Sequence, residues 1–235
     1  MQYRVSRAVA GPILHLLWRP SITGAANVPA RGGAILASNH LSIVDSFFLP
    51  LMLDRPVTFA AKSEYFTGTR LIDRATAIYL RRTNQLEVDR AGTRATRGML
   101  EAALDLLRKG ELFGIYPEGT RSPDGKLYRG RTGVGWLALA SELPVVPVAM
   151  IGTDHVLPPG RTIPRLGPIE VRIGKPLTFE RHRATGAPAK ARRMITDEVM
   201  HAVRELSGQE YSPVYASARK EQLAAATRPK PRGAR

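Results

Sequence analysis

A histidine and an aspartate lie five residues apart in the segment Asn-His-Leu-Ser-Ile-Val-Asp, which occupies residues 39–45. Histidine is the side chain best suited to take a proton near neutral pH. A carboxylate bonded to its far ring nitrogen fixes the tautomer and stabilises the imidazolium that forms. His40 and Asp45 could therefore deprotonate a hydroxyl so that its oxygen attacks an acyl carbon. The alternative is that His40 is a structural loop histidine and Asp45 an acid at the start of a helix.

Helix geometry decides where this pair must lie. On a regular helix, five residues amount to one full turn plus about 140° of rotation, so the two side chains would not share a face. The pairing needs His40 in the turn that enters the helix and Asp45 within the first helical turns. We therefore predict a strand-to-helix turn at residues 38–42, with Ser42 as the N-cap and the Asn39 side chain as an anchor.

A second segment with candidate functional side chains is Pro-Glu-Gly-Thr-Arg-Ser, at residues 117–122. Arg121 can grip a phosphate with two parallel hydrogen bonds, and Thr120 or Ser122 can add hydroxyl donors. Gly119 permits a tight backbone turn. Glu118 is unexpected in an anion site, and we expect it to orient an arginine or a substrate hydroxyl. The alternative is a β-turn that carries surface charges.

Apolar runs that read as buried strands precede both segments. The runs at residues 34–37 and 112–115 predict strands that end just before His40 and Glu118. Arg82 follows a third such run. Ligands of open α/β sheets bind outside the carboxyl ends of the strands, so the base and the cations should meet at one edge. This combination favours transfer of an acyl group to a hydroxyl of a phosphate-bearing acceptor.

Strand-like and helix-like patterns alternate along the middle of the chain, which predicts an α/β fold with a mostly parallel central sheet covered by helices. The predicted strands lie at residues 34–37, 57–60, 77–80, 112–116, 145–151 and 169–173. The predicted helices lie at residues 42–53, 87–109, 131–142 and 188–206. Four prolines predict a long loop at residues 153–168, and loops of that length are often functional.

The charge balance indicates an anionic partner. The chain has 235 residues, enough for one domain, with 35 Lys+Arg, 20 Asp+Glu and a net charge of +15. Nucleic acid, anionic lipid or an acidic protein would each suit that charge. Nucleic acid is the least favoured, because aromatic residues make up only 6% of the chain and no nucleic-acid-binding motif is present. The absence of cysteine excludes disulfides, thiolate metal sites and a thiol nucleophile.

Both ends of the chain suit a membrane surface. Residues 8–18 are apolar with basic flanks but too short to span a bilayer, which needs roughly 20 apolar residues. We interpret residues 1–24 as an amphipathic helix that lies in the membrane interface, the alternative being a helix packed on the core. Residues 209–235 are expected to form a basic, flexible tail, either a solvated end or one attracted to anionic lipid head groups.

Four blocks in this order resemble the glycerolipid acyltransferase family, which includes the 1-acyl-sn-glycerol-3-phosphate acyltransferases. Residues 39–45 match the first block and residues 113–122 the third, and residues 143–148 match an apolar fourth block. The resemblance implies that His40 and Asp45 are catalytic. In the second block Arg82 keeps the phosphate-binding arginine, whereas Arg81 lies where the family usually has an acid. The resemblance covers roughly residues 25–180, within a predicted acyltransferase domain at 25–208.

The resemblance implies transfer of a fatty acyl group from acyl-CoA or acyl-acyl-carrier-protein to 1-acyl-sn-glycerol-3-phosphate, giving phosphatidic acid for phospholipid biosynthesis. Neither a metal nor another cofactor is implied. The expected location is the cytoplasmic face of the cell membrane, as a peripheral or monotopic protein, with no nucleic acid as partner. Glycerol-3-phosphate or another lysolipid is an alternative acceptor, and a His/Asp esterase or thioesterase is an alternative activity. The residues expected to bind the acceptor are Arg82, Glu118, Gly119, Thr120 and Arg121, with support from Asn39 and Ser122.

Overall fold

A computed structural model of the chain describes residues 11–12, 14–62, 78, 85–88 and 92–227. Within these ranges the chain forms one sheet of seven strands and a second sheet of two. The strands are β1 Ser21–Thr23, β2 Ala34–Ser38, β3 Val57–Lys62, β4 Leu86–Val88, β5 Leu112–Ile115, β6 Leu127–Tyr128, β7 Val145–Ile151, β8 Glu170–Ile173 and β9 Tyr211–Ser212.

The large sheet has the order β1-β8-β7-β2-β5-β3-β4, with β2 at its centre. Strands β7, β2, β5, β3 and β4 run parallel to one another. Only β8 and β1, which pair in parallel with each other at one edge, run the opposite way. The predicted mostly parallel sheet is confirmed. Since β2 and β5 are neighbours, the segments that follow them emerge side by side at one edge of the sheet.

Helices cover both faces of this sheet. They are α1 Asp45–Met52, α2 Gly92–Arg108, α3 Gly133–Ser141, α4 Thr153–Val156, α5 Pro188–Ser207 and α6 Ala216–Thr227. The central strand shows how the two faces arise, because its side chains alternate between them. Ala34 and Leu36 pack with α1, whereas Ile35 and Ala37 pack with α2, α3 and α5. Helix α1, which follows β2 in the chain, therefore lies on one face of the sheet. Helix α3, which follows β5, lies on the other face.

The helix and strand predictions hold in the middle of the chain, with three differences. Helix α2 begins at Gly92 rather than at Glu87, because residues 86–88 form the edge strand β4. The strand predicted at residues 77–80 is wrong at Ile78, its one described residue, which is helical and half exposed. The loop predicted at 153–168 contains the short helix α4.

The membrane-interface helix predicted at residues 1–24 stays a prediction. Residues 11–12 and 14–18 are helical, and residues 1–10 and 13 lie outside the described residues. Leu14 and Trp18 pack against the core, while Leu16 and Leu17 are exposed. The sheet begins at Ser21, so the predicted boundary after residue 24 falls within the folded domain. Within the described part of the chain, no helix is both long enough and apolar enough to cross a bilayer.

The prediction of a flexible tail from residue 209 is wrong for residues 209–227. Strand β9 pairs in parallel with β6, and α6 continues to Thr227. Residues 228–235 lie outside the described residues. The error arose because polar contacts, which leave no apolar periodicity in the sequence, hold this segment in place. We call residues 209–227 the C-terminal segment.

Candidate active site

His40 and Asp45 form a hydrogen-bonded pair in the turn between β2 and α1. His40 Nδ1 lies 2.9 Å from Asp45 Oδ2. The same carboxylate oxygen accepts the backbone N–H groups of Leu41 (2.8 Å) and Ser42 (2.9 Å). Asp45 is fully buried, whereas 15% of the His40 side chain is exposed. As predicted, His40 lies in the turn that enters the helix and Asp45 in its first turn.

The prediction that Ser42 is the N-cap of helix α1 is wrong. Helix α1 begins at Asp45, with Val44 at the N-cap position and no side-chain cap bond. The Ser42 hydroxyl instead donates to the Leu157 carbonyl oxygen at 2.7 Å. Asp45 supplies the missing anchor, because its carboxylate reaches back to two backbone N–H groups of the turn. The residue that orients the histidine therefore also shapes the loop that carries it.

Tyr116, which precedes the second motif, holds the other side of the histidine ring. The two rings stack with centroids 3.8 Å apart and an angle of 9° between their planes. The Tyr116 hydroxyl lies 2.8 Å from Ser46 Oγ, and Phe59 stacks on the tyrosine at 5.1 Å. Tyr116 is not among the site residues predicted from the sequence, although its position at the end of a predicted strand beside Pro117 was a usable signal. His40 is thus fixed by a carboxylate at one nitrogen and by an aromatic face.

Asn39 anchors the turn that carries His40 to the neighbouring strand, as predicted. Its amide nitrogen donates to the Met150 carbonyl oxygen at 3.0 Å, and its amide oxygen accepts the Met150 N–H at 2.7 Å. The amide nitrogen also donates to Gln209 Oε1 at 2.7 Å. The side chain is fully buried. Asn39 therefore links the end of β2 to β7 and to the C-terminal segment.

The contacts of Glu118 differ from those predicted, which were with an arginine or a substrate hydroxyl. Its side chain is 1% exposed, and its two oxygens accept the backbone N–H groups of His40 (3.1 Å) and Tyr128 (2.9 Å). Burial raises its pKa to about 7, against the lowering effect of these two hydrogen bonds. The carboxyl therefore connects the histidine turn to β6 instead of facing a substrate.

The rest of the second motif wraps around the histidine loop. The Ser122 N–H donates to the His40 carbonyl oxygen at 2.7 Å, and the Ser122 side chain is buried, as befits the supporting role predicted for it. Gly119 has a φ of +74°, which supports the predicted tight turn, and a Cβ there would lie 2.9 Å from the Arg131 side chain. The motif therefore fixes the loop of the base through its backbone.

Thr120 and Arg121 remain as candidates for binding an anion. Both are partly exposed. Within the described part of the chain, Arg121 has no carboxylate partner. The Thr120 hydroxyl accepts a hydrogen bond from Lys220 of the C-terminal segment at 2.6 Å. Arg82, the other predicted phosphate ligand, lies outside the described residues, as does Arg81.

A cavity of about 870 Å³ opens beside His40. It is within the size range of pockets that hold small molecules, roughly 300–1,000 Å³. Its walls are mostly apolar, with polar groups from the two motifs and from the loop before α3. The residues that the cavity brings together include His40, Phe59, Met99, Leu100, Ile115, Tyr116, Gly119, Arg131 and Trp136. No cluster of three or more His, Asp or Glu side chains suited to a metal ion occurs within the described ranges.

The chain is similar to proteins named 1-acyl-sn-glycerol-3-phosphate acyltransferases. The 1-acyl-sn-glycerol-3-phosphate acyltransferase of Bacillus subtilis is 29% identical over 185 residues, which are 77% of this chain and 84% of that protein. The chloroplastic enzyme of the same name from Brassica napus is 28% identical over 175 residues, 74% of this chain. This chain spans about half the length of that plant relative, 49%.

Among solved structures, the crystal structure of the 1-acyl-sn-glycerophosphate acyltransferase PlsC from Thermotoga maritima superposes with a TM-score of 0.65. It is 26% identical, and the match covers 87% of this chain and 79% of that one. The model of the Acyltransferase family matches residues 19–151, a range that includes β2, β5, both motifs and the His40–Asp45 pair. Since that match covers more than half of the 235 residues, the chain belongs to the Acyltransferase family.

Proposed function

We propose that this protein transfers a fatty acyl group from an acyl thioester to the free hydroxyl of 1-acyl-sn-glycerol-3-phosphate, which gives phosphatidic acid. The observation that carries the proposal is the hydrogen-bonded pair of His40 and buried Asp45, at the wall of a largely apolar cavity. The pair supplies a base oriented for one hydroxyl, and the cavity supplies room for an acyl chain. The activity for which the relatives from B. subtilis, B. napus and T. maritima are named agrees with this assignment.

The proposed reaction is a direct displacement at the thioester carbonyl. Because Asp45 holds Nδ1, His40 takes the proton of the acceptor hydroxyl at Nε2. The oxygen attacks the acyl carbon, the carbon–sulfur bond breaks, and the thiolate recovers the proton from the imidazolium. Asp45 stabilises the imidazolium between these steps. No acyl-enzyme is needed, since a thioester is already activated.

Acceptor recognition in this proposal rests on the second motif. Arg121 and the Thr120 hydroxyl bind the phosphate, while Gly119 and Glu118 hold the backbone that presents them. Arg82 is expected to add a further cation. Because Glu118 uses both oxygens on backbone N–H groups, its role is to position His40, not to bind the phosphate.

We also place the protein at an anionic membrane surface, through an exposed apolar patch made of Leu16, Leu17, Ile163 and Leu166. Leu16, Ile163 and Leu166 are 79%, 77% and 70% exposed. The Trp18 indole joins the two halves of the patch by donating to the Arg165 carbonyl oxygen at 2.7 Å. Residues 155–169 contain two arginines and no acid, which suits anionic head groups.

The patch is mechanically linked to the catalytic turn. Trp18 packs edge-on against Phe48 of α1, the helix that begins with Asp45, with ring centroids 5.9 Å apart. The loop that carries Ile163 and Leu166 starts at Leu157, whose carbonyl oxygen accepts the Ser42 hydroxyl. Contact of this patch with a bilayer would hold the active site beside the membrane that contains its acceptor.

Product analysis tests the proposal. Purified protein in non-ionic detergent receives oleoyl-CoA with 1-acyl-sn-glycerol-3-phosphate, with glycerol-3-phosphate, or with no acceptor. Phosphatidic acid as the main product supports the proposal. Acylated glycerol-3-phosphate formed at a higher rate would assign a different acceptor, and free fatty acid without acylated lipid would assign a hydrolase. Repeating the reaction with oleoyl-acyl-carrier-protein identifies the preferred thioester.

A further inference from the structure

The C-terminal segment, residues 209–227, places an ammonium group on the second motif. Lys220 Nζ donates to Thr120 Oγ1 at 2.6 Å, in a partly buried position. Lys220 also lies close enough to Glu118 for its charge to lower the pKa of that carboxyl. Lys220 lies outside residues 19–151, the range that the family model matches.

The C-terminal segment is fastened to the motif at several points, so the position of Lys220 is defined. Strand β9 pairs with β6, which lies directly after the motif. Gln209 bonds to the Asn39 side chain and to the Gly125 carbonyl oxygen at 2.6 Å. The Arg131 guanidinium donates to Ser217 Oγ at 3.0 Å and lies over the Tyr215 ring at 5.1 Å.

Two neighbouring cations of this region contact carboxylates. Lys126 lies 2.6 Å from Glu210, and Arg219 lies 3.4 Å from Asp124. Lys220 contacts the hydroxyl of a motif residue. Because Thr120 Oγ1 accepts that bond, its own O–H proton is left to donate to an anion. The lysine thus adds a charge to the site and orients a second donor.

We infer that Lys220 is a further phosphate-binding residue of the acceptor site, acting together with the Thr120 hydroxyl that it orients. This inference rests on the proposed function, since the anion is the phosphate of the acceptor. A charge-assisted hydrogen bond is roughly twice as strong as a neutral one, so loss of the ammonium should weaken acceptor binding about tenfold.

Kinetics of three variants test this role. Lys220→Met should raise the KM for 1-acyl-sn-glycerol-3-phosphate about tenfold, with kcat and the KM for oleoyl-CoA changed less than about twofold. Lys220→Arg should restore most of the loss, because it keeps the charge. Arg219→Met is the matched control, as it removes a neighbouring cation of the same helix that Asp124 already engages. A fall in kcat with unchanged acceptor KM, or an equal effect of Arg219→Met, would overturn the inference.

A direct binding measurement tests this inference independently of the proposed acyl transfer. In a His40→Ala background, binding of 1-oleoyl-sn-glycerol-3-phosphate is compared with binding of monooleoylglycerol, which lacks the phosphate. Preference for the phosphate ester that disappears with Lys220→Met supports the inference even if the wild type transfers no acyl group. Equal affinity with and without Lys220 overturns the inference and leaves the proposed reaction intact.

Discussion

At the scale of single residues, His40 owes its orientation to neighbours with separate tasks. Asp45 holds one ring nitrogen and two backbone N–H groups, and Tyr116 stacks on the ring. Glu118 holds the histidine backbone from a buried position. Each contact can be altered separately, so the base, its charge partner and its loop can be tested one at a time.

Asp45→Asn separates the charge of the carboxylate from its geometry. Asp45 Oδ1 is buried without a hydrogen-bond partner among the described residues, so an amide nitrogen can take its place while the amide oxygen keeps the bonds of Oδ2. We expect kcat to fall by a factor of about 10²–10⁴, because the imidazolium loses its counter-charge. Thermal melting measured in parallel should change little. Full activity in this variant would contradict the role of Asp45.

Glu118 should make stability depend on pH. Its pKa in the folded protein is about 7, against an ordinary value of 4.5. A raised folded-state pKa gives a stabilising contribution that is present below about pH 4.5 and is lost as the pH rises through about 7. The shift corresponds to a few kcal/mol, on the order of 3. Urea unfolding at pH 5 and pH 8 measures the loss, which Glu118→Gln should remove; the same pH dependence in that variant would contradict this assignment.

At the scale of elements, close approach of helices α3 and α5 sets the position of the loop before α3. A Cβ at Gly135 would lie 2.2 Å from the Arg192 carbonyl oxygen, a backbone atom that cannot move aside. Arg131 and Thr132, which line the cavity, directly precede α3. Correct packing of these helices is therefore needed for both the core and the cavity.

Two glycine substitutions should act with opposite sign. Gly135→Ala should destabilise the protein by about 1–3 kcal/mol, since overpacking forces the helices apart. Gly98→Ala, in an exposed part of α2 with no atom within 4 Å of the added Cβ, should stabilise it by about 0.5–1 kcal/mol. Urea unfolding measures both. A neutral effect at Gly135 would show that α3 and α5 are not in close backbone contact.

The elements that the sequence predicted correctly are those with strong local patterns. The buried runs before His40 and Glu118 and the helix ending at Gly208 required only periodicity and turn residues. The short strands β6 and β9 were missed, because two-residue strands have no periodicity. Lys220 was missed for a different reason, since its contact with Thr120 joins residues 100 positions apart.

At the scale of the whole molecule, the proposed function gives the net charge of +15 and the exposed apolar patch the same partner, an anionic membrane. In that proposal the arginines of residues 155–169 would attract anionic head groups over about one Debye length, and the apolar side chains would enter the interface. Membrane binding should therefore weaken with added salt but not vanish. In this orientation the patch, which packs on α1 through Trp18, would face the bilayer.

Replacing Ile163 and Leu166, two residues of the exposed apolar patch, should weaken membrane binding. Ile163→Gln with Leu166→Gln should lower partitioning to vesicles of phosphatidylcholine and phosphatidylglycerol about tenfold or more, as measured by co-sedimentation. The matched control is Met194→Gln with Val214→Gln, which alters two residues of 43% and 42% exposure outside the patch. Equal loss in both double variants would contradict a specific membrane-binding patch.

The role of His40 as the base is tested by comparing phosphatidic acid formation by the wild type and by His40→Ala. Both proteins, matched by circular dichroism, receive oleoyl-CoA and 1-acyl-sn-glycerol-3-phosphate, and the product is quantified by mass spectrometry. We predict phosphatidic acid from the wild type and at least a roughly 10²-fold lower rate from His40→Ala. An undiminished rate in His40→Ala would contradict the assignment of His40 as the base.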